Sequence, residues 1–125
     1  MPERYWTVHE ANAALDRVTA VVQRAREAAA SLQSKAESLS DRAGGNGHGV
    51  SSVPERDAFQ AAVTELAEDG IVLRELFRGL VDFPARAPSG REYWLCWVVG
   101  EPRVAWWHWP EDGFAGRTPI SEPPE

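Results

Sequence analysis

The chain has 125 residues, enough for one domain with one hydrophobic core and too few for two ordinary domains. Hydrophobic residues make up 43% and charged residues 26%, which is typical of a globular protein, and no apolar run approaches the roughly 20 residues that span a bilayer. The net charge of −6 disfavours nucleic acid as a partner, and the first residues do not resemble a signal peptide, so we expect a cytoplasmic protein.

The first predicted element is a long helix that begins after Thr7. Thr7 and Glu10 have the spacing of a capping box, in which each side chain accepts a hydrogen bond from the other residue's backbone amide. From residue 8 to residue 39 apolar side chains recur at alternating spacings of three and four. This heptad seam favours packing against a second helix.

A glycine-rich turn over residues 43–55 and a shorter helix over residues 55–69 are predicted to follow. At 1.5 Å per residue the two helices would be about 50 Å and about 22 Å long. Folded back as an antiparallel helical hairpin, the second helix covers only the distal half of the first. Residues 8–24 then require cover from the C-terminal half or from another subunit, so we expect a homodimer.

The C-terminal half is predicted to form a small antiparallel sheet of three to four strands, which makes the fold class α+β. The predicted strands are residues 71–76, 80–85, 92–99 and 103–109. Both faces of the third are apolar, which places it in the middle of the sheet or at an interface. The Pro-rich residues 118–125 are predicted to be an extended or disordered tail, so the single domain comprises residues 1–117.

Five short motifs occur in order along nearly the whole chain, namely "YWTVHEAN", "GLVDFPA", "YWLCW", "GEPRVAWWH" and "DGFAGR". On these motifs the chain resembles the bacterial family DUF2203, a domain of unknown function. The resemblance implies a small bacterial cytoplasmic protein and implies no activity. The family more often has an acidic residue soon after "WH", whereas here Glu111 lies three residues after His108.

The last two strands carry the only cysteine and one of the three histidines. If residues 100–102 form a three-residue hairpin loop, the numbers of paired residues sum to 202. Cys96 then lies opposite Trp106 and Trp94 opposite His108, so the thiol and the imidazole share one face. A change of one residue in loop length would place them on opposite faces.

A thiolate and an imidazole on one face can bind one metal ion, for which zinc or another divalent metal is the expected cofactor. We predict Cys96, His108 and Glu111 as metal ligands, with Asp112 as an alternative to Glu111 and Asp82 as a further ligand. The competing interpretation is structural. In it Cys96 is a small buried hydrophobic residue, and His108 is a half-buried ring with one hydrogen-bonded nitrogen.

The loop that follows the last strand predicts a site for a small anionic molecule. Gly113 and Gly116 can direct free amides at such a ligand, while two arginines clamp it and tryptophans form an apolar wall. The predicted ligand-binding residues are Asp82, Arg91, Trp97, Trp107 and Arg117. Alternatively, Arg117 pairs with Asp82 and fastens the loop to the sheet.

These patterns lead first to a small-molecule or metal-binding module. The alternative is a structural or interaction protein that acts as a homodimer and performs no chemistry. A Cys-dependent enzyme, with Cys96 as nucleophile, His108 as base and Asp82 as orienting group, is the third interpretation. The position of Cys96 within a strand disfavours it, because catalytic cysteines usually lie at helix N-termini or in electropositive clefts.

Overall fold

Three helices, two of them long and antiparallel, pack against one face of a five-stranded antiparallel sheet in the computed structural model, which describes residues 4–41 and 53–125. Side chains are described at all these positions except 37–41. The α+β class predicted from the sequence is confirmed. Most of the predicted glycine-rich turn, residues 43–52 with His48, and the side chain of Leu39 lie outside the described residues.

The helical layer consists of α1 (Val8–Ala13), α2 (Leu15–Asp41) and α3 (Val53–Glu68). The predicted capping box is present, since Thr7 Oγ1 accepts from the Glu10 amide at 3.1 Å and the Glu10 carboxylate accepts from the Thr7 amide at 3.0 Å. Ala14 alone separates α1 from α2. No helix in the described parts of the chain is long and apolar enough to cross a membrane.

The predicted helical hairpin is confirmed by the ion pairs between α2 and α3. These are Arg24–Glu65 at 2.5 Å and Lys35–Glu55 at 2.6 Å, and Arg17 also pairs with Asp69, the residue after α3, at 2.7 Å. Residue numbers rise along α2 as they fall along α3, which defines an antiparallel pair. Exposed ion pairs contribute little stability, so the apolar packing between the helices carries most of the stabilisation.

The sheet has five strands where the sequence predicted three to four. The strands are β1 (Val72–Glu75), β2 (Leu80–Arg86), β3 (Glu92–Val98), β4 (Trp106–His108) and β5 (Thr118–Pro119). They are arranged in chain order and every neighbouring pair is antiparallel. As predicted from its two apolar faces, β3 lies in the middle.

Strand β5 comes from the segment that we expected to be a tail. Pro119 lies opposite Trp106, the Ile120 amide donates to the Ala105 carbonyl at 3.0 Å, and the Trp107 indole donates to the Glu122 carbonyl at 2.9 Å. A proline is tolerated here because β5 is an edge strand, where one side of the backbone needs no donor. The prolines that indicated a tail are therefore compatible with a short strand.

The sheet covers the proximal half of the long helix. Val18, Val21 and Val22 are fully buried in one core with Phe83 and Leu95, which lie on the sheet face towards the helices. Residues 8–24 are thus covered largely by the C-terminal half of the same chain. This burial removes the argument for a homodimer based on an uncovered seam, and the homodimer stays a prediction.

Gly79 occupies the turn between β1 and β2 with a φ of +74°, in the left-handed region that favours glycine. A Cβ atom there would lie 2.6 Å from Val99 Cγ2 and 2.7 Å from Arg26 Nη2. Arg26 itself donates to the carbonyls of Leu76 and Phe77, at 3.1 and 2.7 Å. The turn is therefore both conformationally restricted and tightly packed.

We expect Gly79→Ala to lower the free energy of unfolding by about 2 to 4 kcal/mol, because backbone strain and a steric collision act together. Gly90→Ala is the control, since Gly90 has a φ of +92° but no atom within 4 Å of its Cβ position. Urea denaturation of both variants measures the difference. Equal losses in the two variants would show that the collision at Gly79 is relieved without cost.

Candidate functional site

The candidate site lies on the outer face of the sheet, which points away from the helices. Cys96 is the pairing partner of Asp82 on one side and of Trp106 on the other, and Trp94 is the partner of His108. Directly opposed residues in antiparallel strands project to the same side. The predicted register, with paired numbers summing to 202, is confirmed over 94–96 and 106–108. The predicted three-residue loop is not formed, because β3 ends at Val98 and β4 begins only at Trp106.

This register brings three potential metal ligands together. Asp82, Cys96 and His108 each offer one donor atom, and these atoms all lie within 4.8 Å of one another. We call these residues the DCH cluster. Their exposed fractions are 1%, 0% and 4%, so the whole cluster is buried although α2 and α3 pack on the other face of the sheet.

The cover is supplied by the loop that follows β4. Pro110, Gly113 and Phe114 of this loop close a cavity of about 250 Å³ over the DCH cluster. We call it the loop cavity. Its other lining residues are Arg74, Leu80 and the three members of the cluster. The candidate site is therefore a pocket between a sheet face and a loop, with polar groups on its floor.

Asp82 makes the central contacts of the cluster through one of its two oxygens. Its Oδ2 accepts a hydrogen bond from Arg74 Nε at 2.9 Å and lies 3.0 Å from His108 Nε2. Its Oδ1 is buried and has no hydrogen-bond partner among the described residues. Buried polar atoms are nearly always paired, so this oxygen indicates a missing partner.

Both ring nitrogens of His108 face acceptors. Nδ1 lies 2.8 Å from the Trp109 carbonyl oxygen, and Nε2 faces the Asp82 carboxylate. Only the imidazolium has a proton on each nitrogen, so the metal-free geometry fits the charged ring. Burial opposes that charge, but the hydrogen bonds to Asp82 and Trp109 outweigh burial, and the pKa of His108 is raised.

The thiol of Cys96 is held in its neutral form. Burial raises its pKa to about 12, the charge of Asp82 acts in the same direction, and Arg117 opposes both only in part. A nucleophilic cysteine needs a lowered pKa. The setting of Cys96 therefore gives no support to the Cys-dependent enzyme. A bound metal ion is the partner that can deprotonate such a thiol.

Arg74 is the residue of this site that the sequence patterns did not identify. A bulge between Leu73 and Glu75 interrupts the pairing of β1 with β2, and Val72 pairs with Asp82. Arg74 alternates with Val72, so it projects from the same face and reaches the carboxylate. Pairing the predicted strands 71–76 and 80–85 around the turn at Gly79 would have placed Arg74 on the same face as Asp82.

Glu111, which we predicted as a metal ligand, lies outside the DCH cluster. It forms an exposed ion pair with Arg91, whose guanidinium stacks over the Trp109 ring at 3.8 Å. Arg91, predicted to bind an anionic ligand, is thus engaged at the surface. The carboxylate that the fold brings to Cys96 and His108 belongs to Asp82.

Trp97 and Trp107 lie in the core, on the sheet face opposite to the DCH cluster. Their indole nitrogens donate to the carbonyls of Glu101 and Glu122, at 3.1 and 2.9 Å. They do not line the loop cavity. The apolar wall of that cavity is formed by Leu80, Pro110 and Phe114.

Arg117 fastens the loop through a different carboxylate from the one we expected. One of its terminal nitrogens donates to both oxygens of Glu101, at 2.8 and 3.0 Å, and lies 3.4 Å from the Cys96 carbonyl oxygen. The predicted Arg117–Asp82 pair is not formed, because Arg74 occupies Asp82. The amides of Gly116 and Arg117 close a turn of 3₁₀ helix, so they do not serve a ligand.

Comparisons with known proteins connect the chain to a family. Residues 4–120 match the family model described as "Uncharacterized conserved protein (DUF2203)". This match covers nearly the whole chain and confirms the resemblance found in the motifs. No curated protein and no solved structure matches the chain.

The buried, protonated state of Cys96 predicts low chemical reactivity. In metal-free protein at neutral pH we expect alkylation by iodoacetamide to be at least about a hundredfold slower than alkylation of a free thiol. Mass spectrometry over time measures the rate, and the same protein in urea is the control that must react normally. Rapid modification of the folded protein would contradict the assignment of Cys96 as a buried neutral thiol.

The raised pKa of His108 predicts a pH-dependent stability. The folded state holds this proton more tightly, so its contribution is complete below about pH 6.5, the ordinary pKa, and is lost as pH rises through the higher folded pKa. Metal-free protein should lose up to about 1.4 kcal/mol of unfolding free energy per pH unit within this window. Urea titrations from pH 6 to pH 8 measure the slope.

His108→Gln should flatten this slope, whereas His9→Gln, which changes an exposed residue in α1, should keep it. The comparison uses slopes, so an overall loss of stability in either variant does not affect it. An unchanged slope in His108→Gln would mean that another group controls stability in this range.

Proposed function

Since the chain belongs to the DUF2203 family, whose description assigns no activity, we propose its function from its geometry: the protein binds one divalent metal ion at the DCH cluster. The ligands in this proposal are a carboxylate oxygen of Asp82, the Sγ atom of Cys96 and Nε2 of His108. Zinc is the metal that best suits such a mixed set of oxygen, sulfur and nitrogen donors.

The observation that carries the proposal is the unpartnered Oδ1 atom of Asp82. Leaving a buried polar atom without a partner costs about 1 to 3 kcal/mol, and more when the group is charged. The atom belongs to a residue that lines the loop cavity and lies in the same cluster as a thiol and an imidazole. A metal ion supplies the missing partner.

The spacing of the donors is compatible with one ion. Bonds of about 2.0 to 2.3 Å to a tetrahedral zinc place ligand atoms roughly 3 to 4 Å apart. The three donor atoms of the DCH cluster lie within 4.8 Å of one another, so small side-chain rotations suffice to close the site. The strands hold the three Cα positions in register, which limits the adjustment to the side chains.

The surroundings of His108 also support metal binding. Its Nδ1 is fixed by the Trp109 carbonyl at 2.8 Å, which leaves Nε2 directed at the cluster. A hydrogen bond from the second ring nitrogen to a carbonyl is the usual way in which proteins orient a metal-binding histidine. Three protein ligands leave a fourth position, which faces the loop cavity in this proposal.

A purely structural role is the second candidate, and one observation favours it. Asp82 Oδ2 contacts both Arg74 and His108, so one carboxylate links β1, β2 and β4. Such a buried charge network can fasten a sheet without any ligand. It offers the Asp82 carboxylate only the neighbouring Cys96 thiol, a weak donor, as a further partner, and for this reason we favour the metal site.

The two candidates are separated by metal analysis of protein purified without chelator and of apoprotein reconstituted with zinc. We expect about one zinc per chain, and at least about a hundredfold weaker zinc binding in Asp82→Asn, Cys96→Ser and His108→Gln. Competition with a chromogenic chelator measures the affinity. Glu111→Gln is the matched control, since it changes an exposed carboxylate outside the cluster and should bind zinc normally.

Two results would contradict the metal site. The first is wild-type protein that takes up no zinc in the presence of a moderate excess. The second is zinc binding that survives in all three cluster variants, because the ion would then be held elsewhere. In either case the Arg74–Asp82–His108 network would remain as a structural fastener.

A further inference from the structure

In the metal-bound state, the loop cavity would hold a positive charge that the DCH cluster does not cancel. In the metal-bound site proposed above, the carboxylate of Asp82 and the thiolate of Cys96 neutralise a divalent ion, and His108 is neutral. The guanidinium of Arg74, which also lines the cavity, then has no compensating charge. The side chain of Arg74 is 42% exposed, so an anion can reach it from solvent, and its uncompensated positive charge attracts such an anion.

Arg74 has hydrogen-bonding capacity to spare. Its Nε donates to Asp82 Oδ2 at 2.9 Å, and its guanidinium lies over the Trp94 ring at 4.8 Å. Among the described residues, none accepts a hydrogen bond from its two terminal nitrogens. These nitrogens are therefore available to a ligand in the cavity.

The other arginines near the loop are already compensated. Arg117 donates to both oxygens of Glu101, and Arg91 is paired with Glu111. Neither of them lines the loop cavity. The excess charge that a ligand would meet there thus comes from Arg74, not from the two arginines that the sequence suggested.

The remaining walls of the cavity are apolar. Leu80 belongs to β2, and Pro110 and Phe114 belong to the covering loop. A volume of about 250 Å³ accommodates a molecule of only a few heavy atoms. The cavity therefore combines one charged side with a short apolar side.

We propose that the loop cavity binds a small monocarboxylate, with one oxygen at the fourth metal position, the other on the terminal nitrogens of Arg74, and a short apolar chain against Leu80, Pro110 and Phe114. This inference rests on the metal site proposed above. A single negative charge matches the single excess positive charge, whereas a phosphate dianion would leave one negative charge without a partner. The planar carboxylate also matches the fork of a guanidinium.

Cobalt-loaded protein tests the proposal, because the visible absorption of Co²⁺ responds to its ligands. Sodium acetate, sodium butyrate and sodium phosphate are titrated separately at constant ionic strength. We expect saturable spectral changes with the two carboxylates, several-fold tighter binding of butyrate than of acetate, and weaker binding of phosphate. The difference in affinity between butyrate and acetate measures the contribution of the apolar wall of the cavity.

Arg74→Gln should retain cobalt but bind both carboxylates at least tenfold more weakly. Arg103→Gln, which removes an exposed arginine of the loop before β4, is the matched control and should bind them normally. Phe114→Ala provides a second variant that leaves Arg74 in place. It should reduce the preference for butyrate over acetate while keeping acetate affinity within about twofold.

The outcomes distinguish this inference from the metal site on which it rests. Protein that takes up no cobalt and no zinc overturns both. Protein that binds cobalt tightly but shows no response to either carboxylate, or an equal response in Arg74→Gln, overturns the carboxylate site alone. Tighter binding of phosphate than of carboxylates overturns the assignment of a monocarboxylate.

Discussion

The pairing register of β2, β3 and β4 is the constraint on which the candidate site depends. Asp82 faces Cys96, Cys96 faces Trp106, and His108 lies two pairs further along β4, on the same face. Successive side chains of a strand alternate between the two faces, so a slip of one residue would move Cys96 into the helix-facing core. The register is enforced from the other face, where Phe83, Leu95 and Trp107 are buried in the core. Core packing therefore determines which polar residues meet outside it.

A central strand with two apolar faces needs cover on both, and the chain supplies two different covers. Helices pack on the inner face, whereas the loop between β4 and β5 covers the outer one. A loop packs less continuously than a helix, which allows a cavity and buried polar groups beneath it. Burying Asp82 would be costly without partners, and Arg74 and His108 reduce that cost through charged hydrogen bonds. The cluster is thus a consequence of this two-sided architecture.

Much of this arrangement could be predicted from the sequence because it follows from local periodicity. The capping box at Thr7, the helical hairpin and the shared face of Cys96 and His108 all depend on spacings within one or two elements. Arg74 was missed because its contact with Asp82 follows from the pairing of β1 with β2 around Gly79 and not from a pattern within one strand. Strand β5 was missed because prolines near a chain end resemble a tail, although an edge strand accepts them.

The identity of the carboxylate beside Cys96 and His108 could not be predicted from closeness in the sequence. Glu111 is three residues from His108 but is drawn to the surface by Arg91, whereas Asp82 is 26 residues away and meets His108 through strand pairing. Arg117 likewise pairs with a carboxylate that is distant in sequence. Glu101 lies in the loop between β3 and β4, where its Oε1 accepts from both the Val98 amide and Arg117.

The structural role of the DCH cluster and the metal-binding role that we propose for it differ by the exchange of two protons for an ion. In the metal-free geometry, a proton on His108 Nε2 connects the ring to Asp82, and Cys96 keeps its own proton because burial raises its pKa to about 12. A divalent ion held by the same three residues would take the place of both protons and would connect the same strands. The strands remain linked in either state, so the network that holds the sheet together without metal also preorganises the ligands for it. A network that only links strands needs no cavity above it. The cavity and the unpaired Asp82 oxygen together are therefore better explained by a binding site.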